Sequence, residues 1–326
     1  MINAFVVEVV AMPFSPMTTQ AIAVLIPCYN EAASIESVIR DFHAILPEAT
    51  TYVYDNNSND NSALLAQKAG AVVRHVASQG KGFVVQRMFA EIEADIYVLV
   101  DGDATYDAAS SSAMIAKLLE DNLEMVVAKR VHSDRAAYRY GHVWGNRFLT
   151  WAVACIFGKK FSDILSGYRI FSRAFVKSLD CFSKGFEVET DITVHALMLN
   201  MPVGEVESPY RARPVNSSSK LHTWSDGFAI LMKILSLFMY ESPKVFFGIF
   251  SAALLGLAVV LAIPLVGTWL STGLVPRIPT AVLCSAITAI AVTMQLVGLL
   301  LDSMRKTRRA LRYFAYLAQK SQGKRT

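Results

Sequence analysis

Asp101 and Asp103 are separated by one residue, in the run Asp101-Gly102-Asp103-Ala104-Thr105. Two carboxylates at this spacing can hold a hard cation such as Mg²⁺, which prefers oxygen ligands. Two further polar clusters precede them: Pro27-Cys28-Tyr29-Asn30-Glu31 and Asp55-Asn56-Asn57-Ser58-Asn59-Asp60. Singly, each is a weak signal, because Asp-x-Asp recurs by chance and a strand-end Asp can simply cap the next helix. The cysteines Cys28, Cys155, Cys181 and Cys284 form no CxxC pair, and the histidines form no HExxH. Neither a disulfide framework nor a thiolate or imidazole metal centre is expected.

The elements around these clusters supply the context. Ala21–Ile26 is a short apolar run, as is Ile96–Val100, and Thr51–Tyr54 and Ala71–Val76 are strand-like. Amphipathic stretches lie between them: from Asn30 to Leu46, over Ser58–Ala69 and over Lys81–Ala94. Strand and helix in alternation predict a parallel sheet in a doubly wound α/β domain. Ligands of such sheets bind at the carboxyl ends of the strands. All three polar clusters fall there, so one edge would gather them into one site.

Composition divides the chain in two. Only 18% of the residues are charged, against about 25% in typical soluble proteins. Between Lys244 and Asp302 the only charge is Arg277. The runs 245–270 and 278–301 each exceed the roughly 20 apolar residues that a membrane span needs. They predict a transmembrane hairpin joined by a short turn. The tail from 302 to 326 is rich in Lys and Arg, which places both hairpin ends in the cytoplasm beside anionic lipid. The net charge of +4 gives no argument for nucleic acid. Aromatic and basic residues interleave from Ala136 to Lys160 and predict amphipathic helices at the membrane surface. Residues 1–20 make a poor signal peptide and read as a disordered lead-in, with Met17 as an alternative start. The domain plan is therefore 21–221 catalytic, 222–244 juxtamembrane, 245–301 hairpin and 302–326 tail.

In this order, each at a strand end, the three clusters resemble the nucleotide-sugar half of family-2 glycosyltransferases with the GT-A fold. Later features narrow the resemblance to the polyprenyl-phosphate glycosyltransferases, the group of dolichol-phosphate mannose synthase and the undecaprenyl-phosphate sugar transferases. These features are Ala128-Lys129-Arg130, Asp163-Ile164-Leu165-Ser166-Gly167-Tyr168-Arg169, Phe186-Glu187-Val188-Glu189, and Glu207 to Arg213 followed by Ser219-Lys220-Leu221. The resemblance covers about residues 21–240. Two positions depart from it: Thr105 stands where many members have a metal-assisting Gln, and Asn56 where a second Asp is common.

The resemblance implies a reaction and a set of roles. A sugar would pass, with inversion, from a UDP- or GDP-sugar to the phosphate of undecaprenyl or dolichyl phosphate. Asp101 and Asp103 would hold Mg²⁺ or Mn²⁺ against the donor diphosphate, with Gly102 letting the backbone turn between them. Pro27, Tyr29, Asn30, Glu31, Asp55, Asn57, Ser58 and Lys81 would complete the nucleotide-sugar site, Asp55 accepting a base N–H. Arg130, Arg147, Arg213, Ser219 and Lys220 would bind the acceptor phosphate, since the guanidinium fork suits phosphate oxygens. Arg213 and Lys220 would also stabilise the leaving group, and Arg169, Glu187 and Glu189 would contact the sugar or orient its neighbours. The enzyme would sit in the cytoplasmic membrane with its catalytic domain inside, and a homo-oligomer is compatible with the family. A saccharide acceptor and a non-enzymatic scaffold are the alternatives; the Q-x-x-R-W motif of processive synthases is absent.

The hairpin predicts a simple topology. A reporter fused after Thr326 should give a cytoplasmic signal and one inserted near Thr272 the opposite. A C-terminal reporter active only outside would overturn it.

Overall fold

A computed structural model describes residues 20–132, 161–179, 188–211, 232, 235–236 and 238–322. The predicted alternation is present. Strand β1 (Ile22–Cys28) leads to α1 (Ile35–Ile45), β2 (Thr50–Asp55) to α2 (Ser62–Lys68), β3 (Val72–His75) to α3 (Lys81–Glu91), and β4 (Ile96–Leu99) to α4 (Ser110–Glu120). Then follow β5 (Met125–His132), β6 (Arg169–Ser172), α5 (Arg173–Ser178), α6 (Val188–Met198) and β7 (Val203–Tyr210). Helix α1 buries Ile35, Val38, Ile39 and Phe42, the i, i+3, i+4, i+7 stripe of a helix lying on a sheet.

The seven strands run in the order β3-β2-β1-β4-β6-β5-β7. Strand β1 pairs in parallel with β2 and β4, and β2 with β3. Strand β6 is antiparallel to both its neighbours, β4 and β5, while β5 and β7 are parallel. The chain order reverses about β1, so the carboxyl ends of β1, β2 and β4 flank a crevice of the kind where α/β sheets bind ligands. Alternate residues build the two cores: Ala23 and Leu25 belong to one face, Val24 and Ile26 to the other, as strand periodicity requires.

Two long apolar helices complete the chain. Helix α7 (Pro243–Thr272) and helix α8 (Ile278–Gln322) are long and apolar enough to cross a membrane. They pack closely along their length. Ser251 Oγ donates to the Ala291 carbonyl at 2.8 Å, and a side chain at Gly298 would meet Phe247 Cβ at 2.9 Å. The structure differs here from the separate tail expected after residue 301. Helix α8 continues without a break to Gln322 and docks on the catalytic domain. Tyr316 is buried in the larger core cluster. Its hydroxyl and the Lys320 ammonium both donate to Glu124 Oε1, at 2.7 and 2.6 Å, and Ser172 Oγ donates to Glu124 Oε2. Glu124, at the foot of β5, is itself buried. A charged carboxylate there requires donors, and α8 provides two of them. The interface helices expected over 136–160, and most of the juxtamembrane segment, lie outside the described residues.

The docking of α8 on Tyr316 gives a prediction. Tyr316→Ala should cost roughly 3–5 kcal/mol of local stability, the usual loss for truncating a buried aromatic. Amide exchange over 313–322 should then speed up while α7 keeps its protection. Unchanged exchange in those last turns would refute the docking.

Candidate active site

The three polar clusters meet at one edge, joined by side-chain to backbone hydrogen bonds. Asn30 N donates to Ser58 Oγ at 2.9 Å, Glu31 N to Ser62 Oγ at 2.8 Å and Ala32 N to Asp60 Oδ2 at 3.1 Å. Asn59 N donates back to Asn30 Oδ1 at 2.8 Å. Ser34 Oγ donates to the Gly102 carbonyl at 2.7 Å, bringing in the third cluster. Three non-glycine residues of this edge have left-handed backbone: Asn30 (φ 53°), Asn57 (φ 63°) and Ala104 (φ 56°). Asparagine tolerates that region, whereas alanine is strained in it, and such strain concentrates at functional sites. Gly102 is not the left-handed residue of the Asp101–Asp103 turn. Its role is size, since a Cβ there would meet Ile26 and Ile35 at 3.3 Å.

The acidic pair is held from several sides. Thr105 donates to Asp103 Oδ1 from its hydroxyl at 2.6 Å and from its amide at 3.2 Å, and Asp103 is 3% exposed. Thr105 therefore orients Asp103. Lys81, at the start of α3, donates to Asp101 Oδ1 at 2.5 Å and also to Glu189 Oε1, at the start of α6. Burial works against the Lys81 ammonium, but the two carboxylates outweigh it and raise its pKa. One cation thus faces Asp101 and Glu189, with Asp103 alongside. Among the described residues of this edge the carboxylates outnumber that one cation. Gly167 closes the other side of Asp101. A Cβ at Gly167 would lie 2.4 Å from Asp101 Oδ2, and Gly167 N donates to Tyr106 Oη at 2.9 Å.

Asp55, at the end of β2, is buried. Its Oδ2 accepts from Ser58 N at 3.3 Å and lies 3.3 Å from His75 Nδ1. Its Oδ1 is buried with no hydrogen-bond partner among the described residues, an acceptor suited to an incoming N–H. Asn56, a departure from the family pattern, has a structural role. Its amide donates to the carbonyls of Val76 and Ser78, at 3.0 and 2.7 Å, and its Oδ1 accepts from Gly80 N at 2.7 Å. A carboxylate cannot donate twice, so Asn is required here to hold the loop that delivers Lys81. Asn57 Nδ2 braces the same loop through the Ala77 carbonyl at 2.8 Å.

Two arginines of the expected site are held by the protein itself. Arg169 is fully buried, with its guanidinium donating to the Ser166 and Ile164 carbonyls at 2.8 and 2.6 Å and to Thr193 Oγ1 at 2.9 Å. Burial lowers its pKa to about 10. It shapes the loop that carries Gly167, the orienting one of its two expected roles. Arg130 forms a bidentate pair with Asp163, at 2.7 and 2.8 Å, and stacks over Tyr210. Pro27, Tyr29 and Glu31 lie at the edge as expected. Arg147, Glu187, Arg213, Ser219 and Lys220 lie outside the described residues.

The donor set suits a hard cation. Among the described residues no group of three or more His, Cys, Asp or Glu forms a complete metal cage. Mg²⁺ is commonly held by one or two carboxylates with substrate oxygens and water completing its shell, and Asp101 and Asp103 are carboxylates of this kind.

Comparison with known proteins agrees with this arrangement. The profile of Glycosyl transferase family 2 matches residues 23–180. Glycosyltransferase AglJ of Haloferax volcanii is 34% identical over 234 residues, covering 71% of this chain and 76% of that protein. The chain belongs to glycosyltransferase family 2. Within this family it is also similar to the dolichyl-phosphate hexose transferase of H. volcanii, 24% identical over 224 residues, 69% of this chain and 96% of that one. A solved structure of glucosyl-3-phosphoglycerate synthase from Mycobacterium tuberculosis, in complex with Mn²⁺, uridine diphosphate and glucosyl-3-phosphoglycerate, superposes with a TM-score of 0.55. It shares 24% identity and covers 68% of this chain and 80% of that one. The fold of this family-2 glycosyltransferase is therefore GT-A.

The Lys81 bridge can be tested by coupling. Lys81→Met leaves Asp101 and Glu189 without their shared cation and should destabilise the domain by about 3–5 kcal/mol, the usual cost of removing one partner of a buried pair. Adding Glu189→Gln should recover part of that loss, read as a non-zero double-mutant coupling energy. Additive effects would show that the bridge does not hold the edge.

Proposed function

We propose that this glycosyltransferase transfers a sugar from a nucleotide-sugar to the phosphate of a polyprenyl phosphate. The observation that carries the reading is the docking of the catalytic domain, through Glu124, on helix α8, which runs on without a break from a span-length apolar segment. A catalytic domain fixed to a bilayer suits an acceptor that lives in it. The name of the H. volcanii dolichyl-phosphate hexose transferase is in keeping with this.

The chemistry follows from the chain's own groups. A divalent cation held by Asp101 and Asp103 would supply charge to bind the donor diphosphate and stabilise it as it leaves. Thr105 keeps Asp103 oriented toward that task. The buried Oδ1 of Asp55 accepts from the nucleotide base. Lys81 neutralises part of the acidic edge and keeps Asp101 and Glu189 in place. The acceptor needs no protein base: a phosphate monoester has a second pKa of about 6, so its oxygen is already largely anionic at neutral pH. Glu189 is engaged by Lys81 and serves to position it. Catalysis then rests on alignment and preorganised charge. Arg147, Arg213, Ser219 and Lys220 are assigned to the acceptor phosphate. Arg130, tied to Asp163, shapes that region and offers its remaining donor capacity.

Two measurements test this. Purified full-length protein incubated with a panel of nucleotide-sugars should glycosylate polyprenyl phosphate and leave soluble saccharides untouched; the opposite preference overturns the acceptor. Asp103→Asn should lower kcat by about 100-fold or more, the range lost with one transition-state electrostatic contact. Chelator should silence the wild type until Mg²⁺ or Mn²⁺ is restored. An Asp103→Asn variant fully active in chelator would remove the metal role.

A further inference from the structure

At the other end of α6 from Glu189, a separate small cavity opens between the domain and α8, lined by Met198, Glu241, Arg305, Arg308 and Arg312. Met198 is the last residue of α6, nine positions after Glu189, which puts the cavity roughly 14 Å along the helix from the donor edge at 1.5 Å per residue. The three arginines are spaced i, i+3, i+7 on α8 and so share one face.

Several features of this cavity point to an anion. Arg305 Nη1 donates to the Glu241 carbonyl at 2.8 Å and Nη2 to Asp302 Oδ1 at 2.9 Å, which fixes the guanidinium in place. Its Nε–H is buried with no hydrogen-bond partner among the described residues. A buried donor left unmatched in a cationic cavity is a built position for an acceptor oxygen. Glu241 is the one carboxylate of the lining, and it does not cancel the arginines. Burial outweighs the pull of Arg305, Arg312, Arg308 and Arg309 and raises its pKa toward the neutral form.

Depth selects the source of the anion. Asp302 is the first charged residue after the apolar run of α8. Arg305 and Arg308 lie about 4.5 and 9 Å beyond it along the helix. The headgroup layer on each side of a bilayer is roughly 5–8 Å thick, so these two side chains span the level of lipid phosphates. We propose that this cavity is a binding site for a phosphate ester anion, filled by the headgroup of an anionic membrane lipid. It is distinct from the donor edge and would lock the junction between hairpin and catalytic domain. The inference rests on the reading that α7 and α8 cross the membrane.

The test uses the full-length protein in nanodiscs of phosphatidylcholine doped with phosphatidylglycerol, counting retained anionic lipid by native mass spectrometry. Arg305→Gln with Arg308→Gln should weaken retention about tenfold, the scale of one lost charge-assisted contact. Lys306→Gln with Arg309→Gln removes the same charge from residues outside the lining and should leave retention within about twofold, as expected if diffuse attraction alone is lost. Arg305→Lys, which keeps the charge but lacks the Nε–H, should also weaken retention, and thermal melting of each variant checks that it is folded. Equal losses in the two double variants, or none in either, would overturn the site. Protection of the cavity by soluble glycerol phosphate, with no lipid retained, would uphold the phosphate chemistry and assign it to a soluble ester. Wild-type flotation with neutral vesicles tests the membrane reading separately, and none of these readouts depends on sugar transfer.

Discussion

Lys81 Nζ lies between the carboxylates of Asp101 and Glu189, and much of the catalytic edge depends on that contact. Asp101 follows β4, Glu189 begins α6 and Lys81 begins α3. Without a shared cation, two carboxylates at this separation in a poorly solvated cleft would repel by several kcal/mol. With it, three elements distant in sequence are tied at one point. The loop before Lys81 is fixed in turn by Asn56, which hydrogen-bonds both its carbonyls and the amide of Gly80. These side-chain contacts hold the edge together with no ligand bound, the kind of arrangement that electrostatic preorganisation requires.

The same edge concentrates unfavourable features that the surroundings sustain. Ala104 is held in left-handed backbone, Asp55 keeps an unmatched buried oxygen, and Gly167 approaches Asp101 so closely that no side chain would fit. Each costs stability alone. Their cost is offset by the two apolar cores on either face of the sheet and by Arg169, whose buried guanidinium ties the 164–166 backbone to α6.

Helix α8 gives the molecule a second organising feature. A span-length apolar segment and a segment docked in the catalytic core are parts of one 45-residue helix. A helix transmits position stiffly, at 1.5 Å per residue, so the contacts of Tyr316 and Lys320 with Glu124 fix the distance and rotation of the catalytic domain relative to the hairpin. The active edge would thereby be held at a set height above a bilayer without relying on a flexible linker.

Much of this was legible in the sequence. The strand and helix alternation, the three polar clusters at strand ends and the two apolar runs follow from local periodicity and composition, and the observed elements match them to within a few residues. The gathering of those clusters on one edge was also predictable, because a doubly wound sheet places all its parallel carboxyl ends together. Side-chain partnerships were not, since they join residues tens to hundreds of positions apart. Lys81 and Glu189 are separated by 108 positions and Glu124 and Lys320 by 196, and nothing in either local sequence signals the other. The basic run after residue 301 reads as a cytoplasmic tail beside anionic lipid, because its charges follow an apolar span. Tertiary structure made it a helix with one face against the core, supplying donors to a buried carboxylate. Likewise the sequence left Arg169 to contact the sugar or to orient its neighbours, and the fold turned it inward, because backbone carbonyls of its own loop and a threonine of α6 satisfy a buried guanidinium there. Local sequence determined which elements form and where their ends fall; long-range packing decided which charged groups face a ligand and which hold the frame, because burial and pairing exist only once distant segments meet.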